Sequence, residues 1–377
     1  MGYRILVINW QDIKNPLGGG AEVHLHEIFK RIVERGHQVT LLCCRHPELP
    51  NQEIVDGIQV IRQGNRYLFN FCVPFYYRRL SRTSKFDVVI DDINKIPFFT
   101  PFFVKEPIIG IIHHLFGSSI FIEAPPPVAF YVTLAEGLIP PIYRNIPMAV
   151  VSDSTKTELT EKGLKPENIH LVFNAVDNRE YKQLAELKAK FPVVGYLGRI
   201  KKYKSVNHLI LAFNEVLKKI PDARLLLIGD GDHLPVLKQQ VKKLRLTGNV
   251  TFTGATQHQT KVRHLNQMWL MVNPSPKEGW GLTVIEANAC GLPVIAANSP
   301  GLRDSVVHGE TGFLYPYGDY QQLAALIIKL IHDKKLRKSL IPKCTDWALR
   351  FNWENSANEM MNLITKVLSR REMHEKR

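Results

Sequence analysis

The sequence predicts an α/β protein made of two doubly wound parallel-sheet domains. Three observations carry that expectation. Short apolar strands alternate with amphipathic helices, the alternation runs through the chain twice, and a polar stretch at residues 178–190 separates the two series. A chain of 377 residues is long enough for two domains of ordinary size. They are expected at residues 1–185 and 191–350, with a closing helical segment at residues 351–377 free to pack back on the first domain.

In the first series, Arg4–Asn9 reads as a short apolar strand and residues 11–20 as the loop after it. A helix follows, with Leu25, Ile28, Phe29, Ile32 and Val33 spaced to bury one face. Gly36 is a natural stop, and Gln38–Cys44 supplies the next strand. Further strands are expected at Asp87–Ile90, Ile108–Ile112 and Ala149–Ser152, with a short helix at Thr155–Glu161. The second series has strands at Val193–Leu197, Arg224–Ile228, Val250–Phe252, Leu270–Val272 and Val294–Ala296. Its helices include one burying Val206, Leu209, Ile210, Phe213 and Leu217, one from about Leu234, and one beginning near Gly281. A last helix is expected at Trp353–Leu368. In open parallel sheets of this kind, ligands bind beyond the carboxyl ends of the strands.

Composition narrows the function classes. A hydrophobic content of 45% and a charged content of 22% are those of a globular chain. No stretch has the roughly 18 uninterrupted apolar residues of a membrane span; residues 96–112 are broken by three prolines and two charges. The N-terminus enters a strand at once, without the pattern of a secretory leader. Five cysteines contain no C-x-x-C pair, which favours a reducing compartment and a cytoplasmic location. The net charge of +14 is uneven: 22 basic against 20 acidic residues in 1–190, and 27 against 15 in 191–377. A basic half fits nucleic acid, an anionic membrane surface or a polyanionic small molecule. Against nucleic acid, the chain has no zinc-ligand spacing, no RNP-like aromatic strand and no basic helix in heptads.

The segment with the most chemistry is residues 273–296, NPSPKEGWGLTVIEANACGLPVIA, read as strand, glycine-bearing loop, helix and strand. Gly279 and Gly281 let backbone N–H groups approach a ligand at the N-terminus of the helix that Leu282 opens, a natural anion site. Glu278 precedes that helix and Glu286 lies within it. Each can accept hydrogen bonds from vicinal hydroxyls, the groups a sugar and a ribose carry in pairs. Taken singly, either glutamate also fits an acid favoured by the helix dipole.

The segment resembles the E-x7-E motif of the retaining, family-4 type glycosyltransferases of two-Rossmann, GT-B architecture, whose two domains face a central cleft. The resemblance implies that Glu278 contacts the transferred sugar and Glu286 the ribose of the donor nucleotide. Residues 195–205, GYLGRIKKYKS, are similar to the family's G-R-x(n)-K-G loop. This implies that Arg199 and Lys204 neutralise the diphosphate; because Ser205 stands where the family has glycine, Lys201 and Lys202 are alternatives for the motif's lysine. Without a metal, such cations stabilise the charge that grows on the departing diphosphate. Residues 18–22, GGGAE, resemble the family's first glycine loop and place Gly19 and Gly20 near phosphate or acceptor; a tight turn explains them equally well. His113, at the end of a buried strand, stands where the family has a histidine that bonds the sugar. Asp230 and Asp232 form a literal D-x-D that reads as a structural turn, so no metal site is expected.

Residues 66–85 hold Arg66, Arg78, Arg79, Arg82 and Lys85 with no acid, interleaved with Tyr67, Phe69, Phe71, Phe75, Tyr76 and Tyr77. Two readings stand for this stretch: a core helix with a basic solvent face, or a peripheral contact with the inner face of a membrane. The function implied is a metal-independent, retaining hexosyltransferase without cofactor, using a nucleotide-sugar donor and a sugar or lipid-linked acceptor. Alternatives are a nucleotide-sugar epimerase or polymer synthase on the same scaffold and, from another class, a basic nucleic-acid-binding protein.

Overall fold

The computed structural model describes residues 2–94 and 96–375. It forms two compact units, Met1–Asn174 with Trp353–Arg377, and Ala175–Asn352. Residues 1 and 95 of the expected first domain, and residues 376 and 377 of the expected closing segment, lie outside the described residues.

Unit one contains β1 (Arg4–Ile8), β2 (Gln38–Cys44), β3 (Gln52–Val55), β4 (Ile58–Gln63), β5 (Val88–Asp92), β6 (Ile108–Ile112), β7 (Met148–Val150) and β8 (Ile169–Leu171). They form one sheet in the order β3-β4-β2-β1-β5-β6-β7-β8. Every neighbouring pair is parallel except β3 with β4. Strands β5, β6 and β7 are buried at every position, as a parallel sheet covered on both faces requires. The strand order reverses between β1 and β5, so the loops after these two strands diverge and leave a crevice at the carboxyl edge.

The helix Gly20–Glu34 covers this sheet through Leu25, Ile28, Phe29 and Ile32, four of the five residues its periodicity singles out; the fifth, Val33, is half-buried. The β3–β4 hairpin was not anticipated. Asp56 and Gly57 turn it, at φ 47° and 80°, the pair of left-handed residues that a tight hairpin turn demands.

Unit two contains β9 (Val193–Leu197), β10 (Arg224–Ile228), β11 (Val250–Gly254), β12 (Leu270–Asn273), β13 (Val294–Ala297) and β14 (Gly312–Tyr315). All are parallel, in the order β11-β10-β9-β12-β13-β14, and the order reverses between β9 and β12.

The boundary between units falls at residues 174 and 175, not within residues 178–190. Tyr181 in that stretch is 6% exposed and belongs to the second unit, because a buried phenol there caps a carboxylate, as described below. The chain then leaves unit two at Asn352, and the helix Trp353–Glu375 belongs to unit one. This helix buries Ala357, Met360, Leu363 and Ile364. Its Glu354 accepts from Arg31 of the first helix and from Arg35 just beyond it, both at 2.9 Å.

Candidate functional site

The strand-order reversal in unit two places the loop after β9 beside the loop after β12. Those two loops carry most of the residues singled out above. Tyr196, buried at the end of β9, donates its hydroxyl proton to the Arg199 carbonyl at 3.0 Å and pins the first loop. One 3-10 turn, Lys202–Lys204, leads to Ser205 at φ 53°. This left-handed backbone explains why glycine suits the position. Ser205 occupies it with its hydroxyl 3.0 Å from that of Tyr317.

The second loop is fixed from below. Ser275 Oγ donates to the Lys277 carbonyl at 3.0 Å, Ser299 Oγ to the Ser275 carbonyl at 2.8 Å, and the Glu278 N–H to the Pro300 carbonyl at 3.1 Å. At Gly301 a Cβ would lie 2.2 Å from the Glu278 carbonyl oxygen and 3.0 Å from the Gly279 carbonyl carbon. Only a glycine allows this approach. Gly281, at φ 87°, opens the helix Leu282–Ala289, and no side chain caps that N-terminus. An uncapped N-terminus keeps N–H groups available to an anion.

Across these loops Lys204 Nζ meets both carboxylate oxygens of Glu278, at 2.5 and 2.6 Å. The two side chains are 13% and 14% exposed. Burial, the largest single influence, would lower the Lys204 pKa, but the Glu278 charge, Tyr203 and the hydrogen bond to Glu278 together outweigh it and the pKa is raised. The ammonium is therefore held charged at the mouth of the site. Arg199 is exposed nearby in sequence, and among the described residues no carboxylate pairs with it. Lys201 turns elsewhere, to Asp232 at 2.6 Å. Asp230 accepts from the Gly231 N–H at 2.7 Å, so the two acids of the D-x-D have separate partners.

Inside the Leu282–Ala289 helix, Glu286 is 7% exposed. Its Oε1 accepts from the Tyr181 hydroxyl at 2.5 Å and from Lys261 Nζ at 2.8 Å. Lys261 also sits 4.9 Å over the Tyr181 ring. Burial, and then the Glu286 charge, raise the Tyr181 pKa. The phenol stays protonated and can only donate to the carboxylate. One oxygen of Glu286 is thus saturated by protein, and the other is the one a ligand hydroxyl can use.

In unit one, His113 follows β6 and its Nε2 lies 3.1 Å from Asp92 Oδ1, at the end of β5. Its carbonyl accepts from Thr155 Oγ1 at 3.3 Å. The His113 ring packs edge-on against His24 at 5.1 Å. Burial, and then the neighbouring His113, lower the His24 pKa to about 3, so that ring is neutral at ordinary pH. Its Nε2 faces the Val172 carbonyl at 3.1 Å and must carry the proton, because a carbonyl only accepts.

Gly19 caps the Gly20–Glu34 helix, and its N–H is taken by Glu22 Oε2 at 2.6 Å. Glu22 Oε1 accepts from Asn94 at 2.7 Å. The glycine loop thus spends the Gly19 N–H on its own carboxylate. A Cβ at Gly20 would meet nothing within 4 Å.

Within unit two the two loops bring Lys204 to Glu278. Tyr181 and Lys261 at Glu286, and Asp92 at His113, carry no assigned role in the sequence reading. Tyr181 falls in the polar stretch between the two strand–helix series, and Lys261 lies on a helix with no motif of its own. A lone aromatic in an otherwise polar segment was the available signal for Tyr181.

Two family models match the chain: "Glycosyltransferase Family 4" over residues 18–180 and "Glycosyl transferases group 1" over residues 177–347. The N-acetyl-alpha-D-glucosaminyl L-malate synthase of Bacillus anthracis is 27% identical over 345 residues, 86% of this chain and 88% of that protein. The capsular polysaccharide biosynthesis glycosyltransferase CapM of Staphylococcus aureus is 34% identical over 181 residues, 48% of this chain and 46% of that one. Among solved structures, the sucrose-phosphate synthase of Thermosynechococcus elongatus superposes with a TM-score of 0.83 at 21% identity, over 97% of this chain and 99% of that one. HepE of Anabaena, solved with UDP-glucose, superposes with a TM-score of 0.77 at 20% identity, over 97% of this chain and all of its own (100%). At those identities the superpositions establish the fold, which is GT-B.

Proposed function

Since the chain belongs to the group 1 and family 4 glycosyltransferases, we propose that it moves a hexose from a nucleotide diphosphate to an acceptor hydroxyl. The reading includes retention of configuration at the anomeric carbon, protein cations in place of a metal ion, and a cytoplasmic site of action on a sugar or lipid-linked precursor of a surface glycan. The observation that carries it is the pairing of Lys204 with Glu278 beside the uncapped N-terminus of the Leu282–Ala289 helix.

A sugar diphosphate brings both groups a better partner. Its phosphate oxygens accept from Lys204, from Arg199 and from the free N–H groups at the helix start. Glu278, released from Lys204, accepts from a hydroxyl of the sugar. Glu286 offers its unsaturated oxygen to a ribose hydroxyl, while Tyr181 and Lys261 hold the other. HepE, a protein of the same fold, was solved with UDP and with UDP-glucose, which supports a donor of this class.

In the reaction the acceptor oxygen forms a bond to the anomeric carbon on the face from which the diphosphate leaves. The carbon–oxygen bond to the phosphate breaks, its electron pair stays on the phosphate oxygen, and that oxygen takes the acceptor's proton. Charge therefore accumulates on the diphosphate in the transition state. Fixed cations aimed at it lower the barrier, a contribution commonly of about 3–4 kcal/mol per donor removed.

The test is product analysis by NMR with an α-linked donor, with and without a chelator. An α-linked product formed at the same rate in chelator supports the reading. A β-linked product, or activity abolished by chelator and restored by a divalent cation, contradicts it. A free epimerised sugar nucleotide would instead mark an epimerase.

A further inference from the structure

The helix Pro126–Gly137 in unit one is built inside out. The face it buries carries the small side chains Ala129 and Ala135 with Val132 and Glu136. Its large apolar side chains face outward: Phe130 is 66% exposed and Leu134 67%, with Val128 and Tyr131 beside them. With Leu138 they follow helical spacing and make a stripe. Hydrophobic burial alone would turn this helix over. An outer apolar face of this extent needs an occupant.

The neighbouring helix Phe69–Thr83 continues the face. Tyr131 stacks on Phe71 at 6.4 Å, and its hydroxyl accepts from Asn70 at 2.8 Å. Phe69, Val73 and Tyr77 go into the core, while Phe71 and Phe75 stay about two-thirds exposed, at 66% and 65%. One helical stripe carries Phe71, Phe75, Arg78 and Arg82 in that order, aromatic at one end and cationic at the other. Arg66, Arg79 and Lys85 are exposed around it, and no acid occurs within residues 66–85. At the far rim Phe121 meets Phe130 edge-on at 5.2 Å, next to the exposed Glu123. The segment 66–85 thus packs on the core and presents a basic solvent face, as one of its two expected readings has it, and it exposes Phe71 and Phe75 as well.

We propose that this two-helix face docks on an anionic lipid surface. Phe71, Phe75, Phe130 and Leu134 enter the interfacial layer, and Arg78, Arg79 and Arg82 meet the headgroup phosphates. Charge selects the occupant. A two-fold contact between copies of this chain sets each patch against itself, which would place the same arginines opposite one another. An anionic surface complements them. The proposal goes beyond sugar transfer and does not depend on it.

Flotation of the full-length chain tests it, using vesicles of phosphatidylcholine alone and vesicles with about one third phosphatidylglycerol, a content giving a strongly negative surface potential. The expected result is flotation with the anionic vesicles, weakened by salt. In Phe130→Ser/Leu134→Ser and in Arg78→Glu/Arg79→Glu, binding should fall by about tenfold or more, given the gain of each cation near a charged surface. All four side chains are exposed, so both variants should keep the wild-type melting temperature and nucleotide-diphosphate binding, which separates lost docking from lost folding. Equal flotation with both vesicle types, flotation with neither, or variants that float like wild type would overturn the proposal. So would a concentration-dependent dimer that Phe130→Ser/Leu134→Ser dissociates while no vesicle binds, since the face would then be an interface between copies.

Discussion

Lys204 Nζ touches both carboxylate oxygens of Glu278, at 2.5 and 2.6 Å, although 74 residues separate them in the chain. The strand-order reversal between β9 and β12 brings them together. In the free protein each neutralises the other, and on the proposed reading a diphosphate would compete with Glu278 for the ammonium.

The pair gives a double-mutant prediction. Lys204→Ala and Glu278→Gln should each lower turnover by a hundredfold or more, about 3 kcal/mol of transition-state stabilisation. Lys204→Ala should cost stability as well, roughly 1–3 kcal/mol, because it leaves a largely buried carboxylate without its partner. The double variant should regain most of that stability and none of the turnover. Denaturant melts and steady-state rates on the four proteins check this; recovery of turnover in the double variant would show that the pair is structural only.

On the proposed reading, Tyr181 and Lys261 act through Glu286, to which both donate. Tyr181→Phe removes one neutral donor, so KM for the donor sugar should rise by about fivefold, the equivalent of roughly 1 kcal/mol. Lys261→Met removes a charged donor and should raise KM further, with kcat moving less than KM in both. Initial-rate kinetics at fixed acceptor read the split. A fall in kcat with KM unchanged would place these residues in the chemical step.

Three glycines should respond differently to alanine. A Cβ at Gly281 meets Ser305 Oγ at 2.8 Å on a backbone of φ 87°, and one at Gly301 meets the Glu278 carbonyl oxygen at 2.2 Å. Gly281→Ala and Gly301→Ala should each destabilise by about 1–3 kcal/mol, and Gly301→Ala should also cost activity by displacing Glu278. Gly20→Ala, with open space around its Cβ, should fold and melt like wild type. Melting curves and rates for the three variants decide it.

His24 makes stability depend on pH. Its pKa is about 3 in the folded protein against 6.5 for an ordinary histidine. Between those values the unfolded chain binds a proton that the folded chain refuses, so stability falls on acidification from pH 6.5 to about 3, by about 1.4 kcal/mol per unit from this group. Asp91 works in the opposite sense. Burial raises its pKa from 3.8 to about 6, so the folded state binds the extra proton between those values. The difference between wild type and His24→Gln isolates the histidine: the variant should lose less stability below pH 6.5. Parallel pH profiles would contradict the assignment.

Much of the architecture is legible because local pattern and tertiary burial agree. The strands Gln38–Cys44, Ile108–Ile112, Val193–Leu197 and Arg224–Ile228 are apolar runs, and they are strands at those same residues. The β3–β4 hairpin was legible too, in the Asp56-Gly57 turn between apolar residues, but its flanking polar residues hide the alternation. Tyr181 is different in kind: a local reading of residues 178–190 finds a polar linker, and only the approach of Glu286 from 105 residues away gives the phenol its place. The return of Trp353–Glu375 to unit one matches the expected closing segment, and the contacts that carry it, Arg31 and Arg35 meeting Glu354, exist only over a long range. At the site, the likeness of residues 195–205 and 273–296 to the family's motifs points to Lys204, Glu278 and Glu286. The groups that orient them carry no motif, since their role exists only in three dimensions.

The most direct test of the central claim is calorimetric titration of UDP-, GDP- and ADP-hexoses into the wild-type chain and into Lys204→Ala. The account predicts saturable binding of at least one donor to the wild type, weakened by about tenfold or more in the variant through loss of a charge-assisted contact to phosphate. No heat with any donor, or equal affinity in the two proteins, would contradict it.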